Sequence, residues 1–101
     1  WPAHTATVRV TNINLSNTRI IAAPGPGLTC SRNDTPSGSY RFDVESSSVQ
    51  VSQLPQGTWH FYRQNTSSGP GGGNRCTSLY QVTIGWAPEY TVHYGTGNLT
   101  P

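Results

Sequence analysis

The sequence predicts an all-β fold, an antiparallel β-sandwich of about seven strands, from three observations. Apolar and polar residues alternate with period two in several short runs, as in strands with one buried face. Apolar residues do not recur at helical spacing for more than one turn. Clusters of Gly, Pro, Asn and Ser separate the runs at the spacing of a sandwich or small barrel. We therefore expect one domain over residues 1–101, with no helix.

Seven runs account for the predicted strands. They are residues 5–11, 19–23, 39–45, 49–54, 58–64, 76–86 and 89–94. The first run alternates strictly, with Ala6, Val8 and Val10 on one face. The apolar phase shifts near Asn12, which indicates a bulge or a strand that changes sheets.

In the third run, alternation is expected to turn Tyr40, Phe42 and Val44 inward and the acids Asp43 and Glu45 outward. The same rule applies to the fifth run, in the centre of the chain. There we expect Trp59 and Phe61 to face the core, while Tyr62 faces solvent beside His60 and Gln64. The fifth and sixth runs are expected to form an antiparallel pair.

Composition limits the possible partners and the compartment. The chain carries six arginines, no lysine and a net charge of +2, and the arginines are scattered, so we expect no nucleic-acid partner. No apolar run is long enough to predict a membrane span. The neutral surface rich in Ser, Thr, Asn, Gln and Gly is typical of an extracellular β protein, either secreted or surface-displayed.

Two further features fit an extracellular chain. Cys30 and Cys76 lie far apart with no CxxC pairing, and we expect one disulfide between them, the alternative being two buried thiols. Four N-x-[ST] sequons offer possible glycosylation sites in predicted turns or loop edges. They are Asn14, Asn33, Asn65 and Asn98.

Residues 49–61 carry a family resemblance. Their pattern, VxVxxLPxGTWxF, resembles the strand, leucine-proline-glycine turn and aromatic strand of fibronectin type III domains. The resemblance implies an immunoglobulin-like sandwich in which Leu54 plugs one end of the core and the turn crosses to the opposite sheet. Residues 86–94 resemble that family's early hairpin, but lie near the other end of the sequence. Such a fold implies binding, adhesion or spacer roles.

The sequence offers no catalytic motif, so we expect no enzyme, no cofactor and no metal. Asp43 and Glu45 share a strand face, but two outward acids beside Arg41 on an exposed sheet face explain them better than a catalytic pair does. A metal site was the other alternative. His60 and His93 would approach one another only if their strands paired, with Glu89 or Asp43 completing the site.

Aromatic residues supply the predicted binding surface, because rings stack on the apolar faces of sugars. The expected ligand-binding residues are Trp86, Tyr90, Tyr62, His60 and Tyr94. The alternative is that Trp86, Tyr90 and Tyr94 only cap the core. The sequence thus predicts a non-catalytic binding or adhesion module with a glycan or protein partner. One alternative is a self-assembling structural protein, such as a capsid protrusion or filament subunit. Another is a hydrolase inhibitor that uses the loop at residues 24–27 or 67–74.

Overall fold

The computed structural model describes residues 4–14, 16–24, 37–65 and 76–101, and every regular element in them is a strand. The strands are β1 (Thr5–Thr11), β2 (Thr18–Pro24), β3 (Tyr40–Arg41), β4 (Asp43–Ser46), β5 (Val49–Pro55), β6 (Gly57–Asn65), β7 (Cys76–Ile84), β8 (Glu89–His93) and β9 (Leu99–Thr100). A five-stranded sheet has the order β4-β5-β1-β8-β9, and a four-stranded sheet has the order β3-β2-β6-β7. The all-β prediction is confirmed, with two more strands than expected.

The core lies between the two sheets, as the alternation predicted. Ala6, Val8 and Val10 of β1 are fully buried, and Trp59 and Phe61 of β6 pack into the same cluster. β1 ends at Thr11 because Asn12 adopts a left-handed conformation, with φ of 63°. The next strand, β2, belongs to the other sheet. The phase shift near Asn12 therefore marks a change of sheet.

The turn after Leu54 also carries the chain between sheets. β5 belongs to the five-stranded sheet and β6 to the four-stranded sheet, although only Gln56 separates them. Gly57 provides the bend, because its φ of 146° is one that other residues rarely adopt. Leu54 is fully buried at this crossing. β6 then pairs with β7 as the predicted antiparallel hairpin, with one bulge opposite Phe61.

One strand pair differs from the predicted antiparallel pattern. β8 lies beside β1 and runs parallel to it, with Thr7 opposite Glu89. The cause is a short connection: residues 85–88 cross from the end of β7 to the start of β1, where the Thr7 amide donates to Pro88 O over 3.0 Å. β8 then has to leave in the same direction as β1.

The predicted inward row of Tyr40, Phe42 and Val44 is wrong in part. Phe42 is buried, whereas Tyr40 is exposed and Val44 has 64% of its surface exposed. The run divides at Phe42 into β3 and β4, which are edge strands of different sheets. An edge strand has a neighbour on one side only, so alternation there does not ensure burial.

Gln50 is a buried polar residue that the sequence did not single out. Its Oε1 accepts from the Ile20 amide over 2.8 Å, and its Nε2 donates to Thr18 O over 2.6 Å. β3 pairs with β2 at Ile21 and Ala22. Beyond that point, the Gln50 carboxamide makes the hydrogen bonds to the β2 backbone that a longer β3 would have made. Because Gln50 belongs to β5, it joins the two sheets.

Candidate functional site

The most exposed large apolar side chain among the described residues is that of Trp86, with 73% of its surface exposed. It lies in the connection between β7 and β8, residues 85–88, which we call the Trp86 turn. Trp86, one of the expected ligand-binding residues, is thus exposed just beyond the end of β7. The ring projects from a backbone that is held at several points.

Tyr90 fixes the Trp86 turn by hydrogen bonds from the core side. Its hydroxyl accepts from the Gly85 amide over 2.9 Å and from the Ala87 amide over 3.3 Å, the residues on either side of Trp86. A Cβ at Gly85 would stand only 3.0 Å from this oxygen, so glycine permits the approach. Tyr90 itself is only 8% exposed, which fits the alternative that it caps the core. It occupies an inward position of β8 and supports the turn from the core.

His4 holds the turn from the side. Its Nε2 donates to Ala87 O over 2.8 Å, and its ring lies 5.5 Å from the Trp86 ring, tilted by 42°. Gln56 is tied to the same place, because its amide donates to His4 O over 2.8 Å. Sequence reasoning did not place His4 at this site, since its position depends on the parallel pairing of β1 and β8.

Tyr62 does not take part in this site. It is only 2% exposed and packs with Ile21 and Ala23, against Cys76, so the prediction that it faces solvent is wrong. Gln64, the expected neighbour, is also buried. The physical reason is that a second apolar cluster lies apart from the main core, on a face that alternation assigns to water.

His60 lies beside this second cluster. Its Nε2 and Ser78 Oγ are 2.5 Å apart, and its ring is 4.8 Å from that of Tyr62. His93 belongs to β8, which pairs with β1 and β9 and not with β6. The strand pairing that the metal alternative required is therefore wrong. The described residues contain no group of three or more His, Cys, Asp or Glu that could hold a metal ion.

Tyr94 is half-buried at the end of the sandwich opposite the Trp86 turn. Its hydroxyl accepts a long bond of 3.4 Å from Arg63 Nη1. Nearby, burial raises the pKa of the Tyr80 phenol to about 12, with a smaller contribution from the charge of Tyr94. The structure thus distributes the predicted aromatic residues over three places, and only Trp86 is exposed at the proposed site.

Asp43 and Glu45 lie on the exposed edge strand β4. Glu45 contacts Arg9 over 3.8 Å, and Glu89 contacts the same guanidinium over 3.6 Å. These pairs join β4, β1 and β8 across the outer face of the five-stranded sheet. Half-exposed pairs of this kind contribute at most about 1 kcal/mol each.

The predicted covalent sites are only partly described. Cys76 begins β7 and is half-buried, whereas Cys30 lies outside the described residues, so their disulfide stays a prediction. Asn14 and Asn98 are exposed, and Asn65 ends β6. Asn33 and the loop residues 25–27 and 67–74 lie outside the described residues.

Within the described ranges, no helix is long and apolar enough to cross a bilayer. Comparison with known proteins finds no matching protein family, no matching curated protein and no matching solved structure.

Proposed function

We propose that this chain is a non-catalytic, extracellular binding module that contacts a carbohydrate through the Trp86 turn. One observation carries the proposal: a largely exposed indole on a backbone that a buried tyrosine hydroxyl fixes on both sides. Burying a large apolar side chain contributes about 1.5–3 kcal/mol, and the fold leaves this contribution unused. A partner that covers the ring would gain it.

Preorganisation makes the turn suited to binding. The Gly85 and Ala87 amides are both engaged by Tyr90, and Ala87 O is engaged by His4. A ring on a fixed backbone loses little conformational freedom when a ligand stacks on it, so less of the contact energy is offset by ordering. A flexible loop carrying the same tryptophan would bind more weakly.

The chemistry favours a neutral sugar over a charged ligand. A pyranose presents an apolar C–H face that fits an indole, and its hydroxyls need polar partners at the rim. The imidazole of His4 lies beside Trp86. The backbone amide of Gln56 bonds to His4 O, and the side chain of Gln56 is exposed. These groups offer hydrogen-bond donors and acceptors at the rim of the indole ring.

The sheet topology supports an immunoglobulin-like version of the sandwich. Such domains place strands A-B-E-D in one sheet and C-F-G, with C′ added in variable types, in the other. The orders β8-β1-β5-β4 and β3-β2-β6-β7 correspond to these if β1 is taken as strand B. β8 then occupies the place of strand A, although it comes late in the chain and runs parallel to β1. The proposed Cys30–Cys76 disulfide would add a covalent link suited to an extracellular protein.

A glycan array followed by titration calorimetry on the retained sugar tests this function. We expect Trp86→Ala to weaken binding about tenfold or more, since loss of a stacked ring of roughly 1.4 kcal/mol has that effect. Val44→Ala is the matched control, because it removes another exposed apolar side chain, on β4, and should leave affinity unchanged. No retention on any glycan would contradict the proposal, as would binding that Trp86→Ala leaves intact. Capture of a protein instead of a sugar through Trp86 would also overturn the carbohydrate assignment.

A further inference from the structure

The two sheets have four outer strands, and three of them are poorly suited to pairing with another chain. β3 and β9 are two residues long. β4 has four residues, of which Asp43 and Glu45 are acidic. Short strands and charged side chains are the usual devices that keep a sheet edge from adding a further strand.

β7 carries none of these devices. It has nine residues, Cys76–Ile84, with no Asp, Glu, Lys, Arg or His and no proline. Among the described residues, it has no strand partner on the side away from β6. A bulge opposite Phe61 interrupts β7 between Ser78 and Gln81, but the pairing of residues 81–84 with β6 is regular. This segment therefore presents a straight row of backbone groups at the sheet edge.

The facing sheet leaves room beside this segment. β9 pairs only with Thr91 and Val92, so it stops before Glu89 and Tyr90, at the end of β8 nearest the Trp86 turn. At the other end, the turn before β9 closes over β7, because Gly97 lies against the Tyr80 ring. The open part of the edge is thus residues 81–84.

We propose that residues 81–84 of β7 pair antiparallel with the same segment of a second copy, which joins two four-stranded sheets into one of eight strands. In a twofold dimer, β7 of one copy lies beside β7 of the other. A strand that carried a charge would therefore repel its copy, and β7 carries none. A register centred on Val82 pairs residues 81–83 of the two copies and sets Gln81 of one copy opposite Thr83 of the other. Both side chains are exposed and able to hydrogen-bond across the strands. The proposal is independent of carbohydrate binding.

The pairing is short, so we expect a weak dimer that forms at high protein concentration. Light scattering on the full chain, over a series up to about 1 mM, should show the mass rise from one copy towards two. Thr83→Lys places like charges near the axis and should keep the protein monomeric over the same series. Thr91→Lys is the matched control, since it adds the same charge to an exposed threonine on β8 and should leave the dimer intact.

Hydrogen exchange on the unaltered protein gives a second measurement that needs no variant. The amides of residues 81–84 should exchange more slowly as concentration rises, while those of β4 should not change. A constant monomer mass would overturn the proposal, and so would exchange that is independent of concentration. A dimer that persists in Thr83→Lys would overturn it as well, because the contact would then lie elsewhere.

Discussion

The two ends of the sandwich differ in whether a buried tyrosine hydroxyl is hydrogen-bonded. At the end with the Trp86 turn, the Tyr90 hydroxyl accepts from two backbone amides, and Trp59 Nε1 donates to Pro55 O over 2.9 Å. At the other end, where the turn between β8 and β9 lies, the buried Tyr80 hydroxyl has no hydrogen-bond partner among the described residues. Tyr94 there has one long bond, from Arg63.

The difference shows that whether a tyrosine hydroxyl finds a hydrogen-bond partner depends on which backbone groups it reaches, and not on how deeply its ring is buried. Tyr90 lies five residues after Gly85 and reaches back to the turn that leads into its own strand. Tyr80 lies at the bulge of β7 between Ser78 and Gln81, which pair with β6, and no described backbone group bonds to its hydroxyl. The first end is therefore held by polar contacts, and the second is held mainly by close packing of rings and backbone.

Gly97→Ala should give the largest effect, because it tests the close packing. A Cβ at this position would stand 2.6 Å from the Tyr80 ring, and φ is +75°. We expect a loss of about 2–4 kcal/mol in the free energy of unfolding, from overpacking and left-handed strain together. Gly38→Ala is the control: φ is +80°, but the nearest atom lies at 3.5 Å, so only the strain of about 1 kcal/mol should remain. Equal losses in urea denaturation would contradict the packing argument.

Tyr90→Phe tests the polar contacts at the Trp86 end. It keeps the ring but leaves the Gly85 and Ala87 amides without their acceptor, so we expect a loss of about 1–3 kcal/mol in stability. Sugar affinity should also fall although Trp86 is unchanged, because the turn is no longer fixed. Tyr80→Phe serves as the comparison in the same urea experiment. Its hydroxyl has no described partner, so its removal should cost little or nothing.

The pH dependence of stability gives the smallest effect. The pKa of Tyr80 is about 12 in the folded chain and ordinarily 10. Below pH 10 the phenol is protonated in both states, and between these values the unfolded chain loses the proton while the folded chain keeps it. Stability should therefore fall as pH rises through this window.

Urea midpoints at about pH 8 and about pH 11.5 measure this fall. Tyr80→Phe should lose less stability between the two conditions than the unaltered protein does. The remaining tyrosines are present in both proteins, so the difference isolates Tyr80. Equal falls would show that Tyr80 ionises alike in both states.

Sequence reasoning succeeded where the structure depends on local pattern. Alternation placed Ala6, Val8 and Val10 inside, and the glycine-rich breaks separated the strands correctly. The position of Trp86 at a strand end, where a ring can be exposed, also followed locally, since Gly85 before it and a proline shortly after it end the strand.

Sequence reasoning failed where the burial or the contacts of a residue depend on residues distant in the sequence. Alternation indicates that Tyr62 faces away from Phe61, but not whether that second face is covered, and Tyr62 is buried. The support of Trp86 by His4 requires the ends of the sequence to be adjacent, which no local pattern indicates. Gln50 likewise serves a strand 30 residues away.

The parallel contact between β1 and β8 also has a consequence for biosynthesis. His4 and Ala87 are 83 residues apart in sequence, so the flank of β1 that receives β8 stays uncovered until the residues between them and β8 itself have emerged from the ribosome. At roughly 5–20 residues per second, translation of that interval takes about 4–17 s. During this time the nascent chain holds an incomplete five-stranded sheet, which is the stage at which a chaperone would have most to protect.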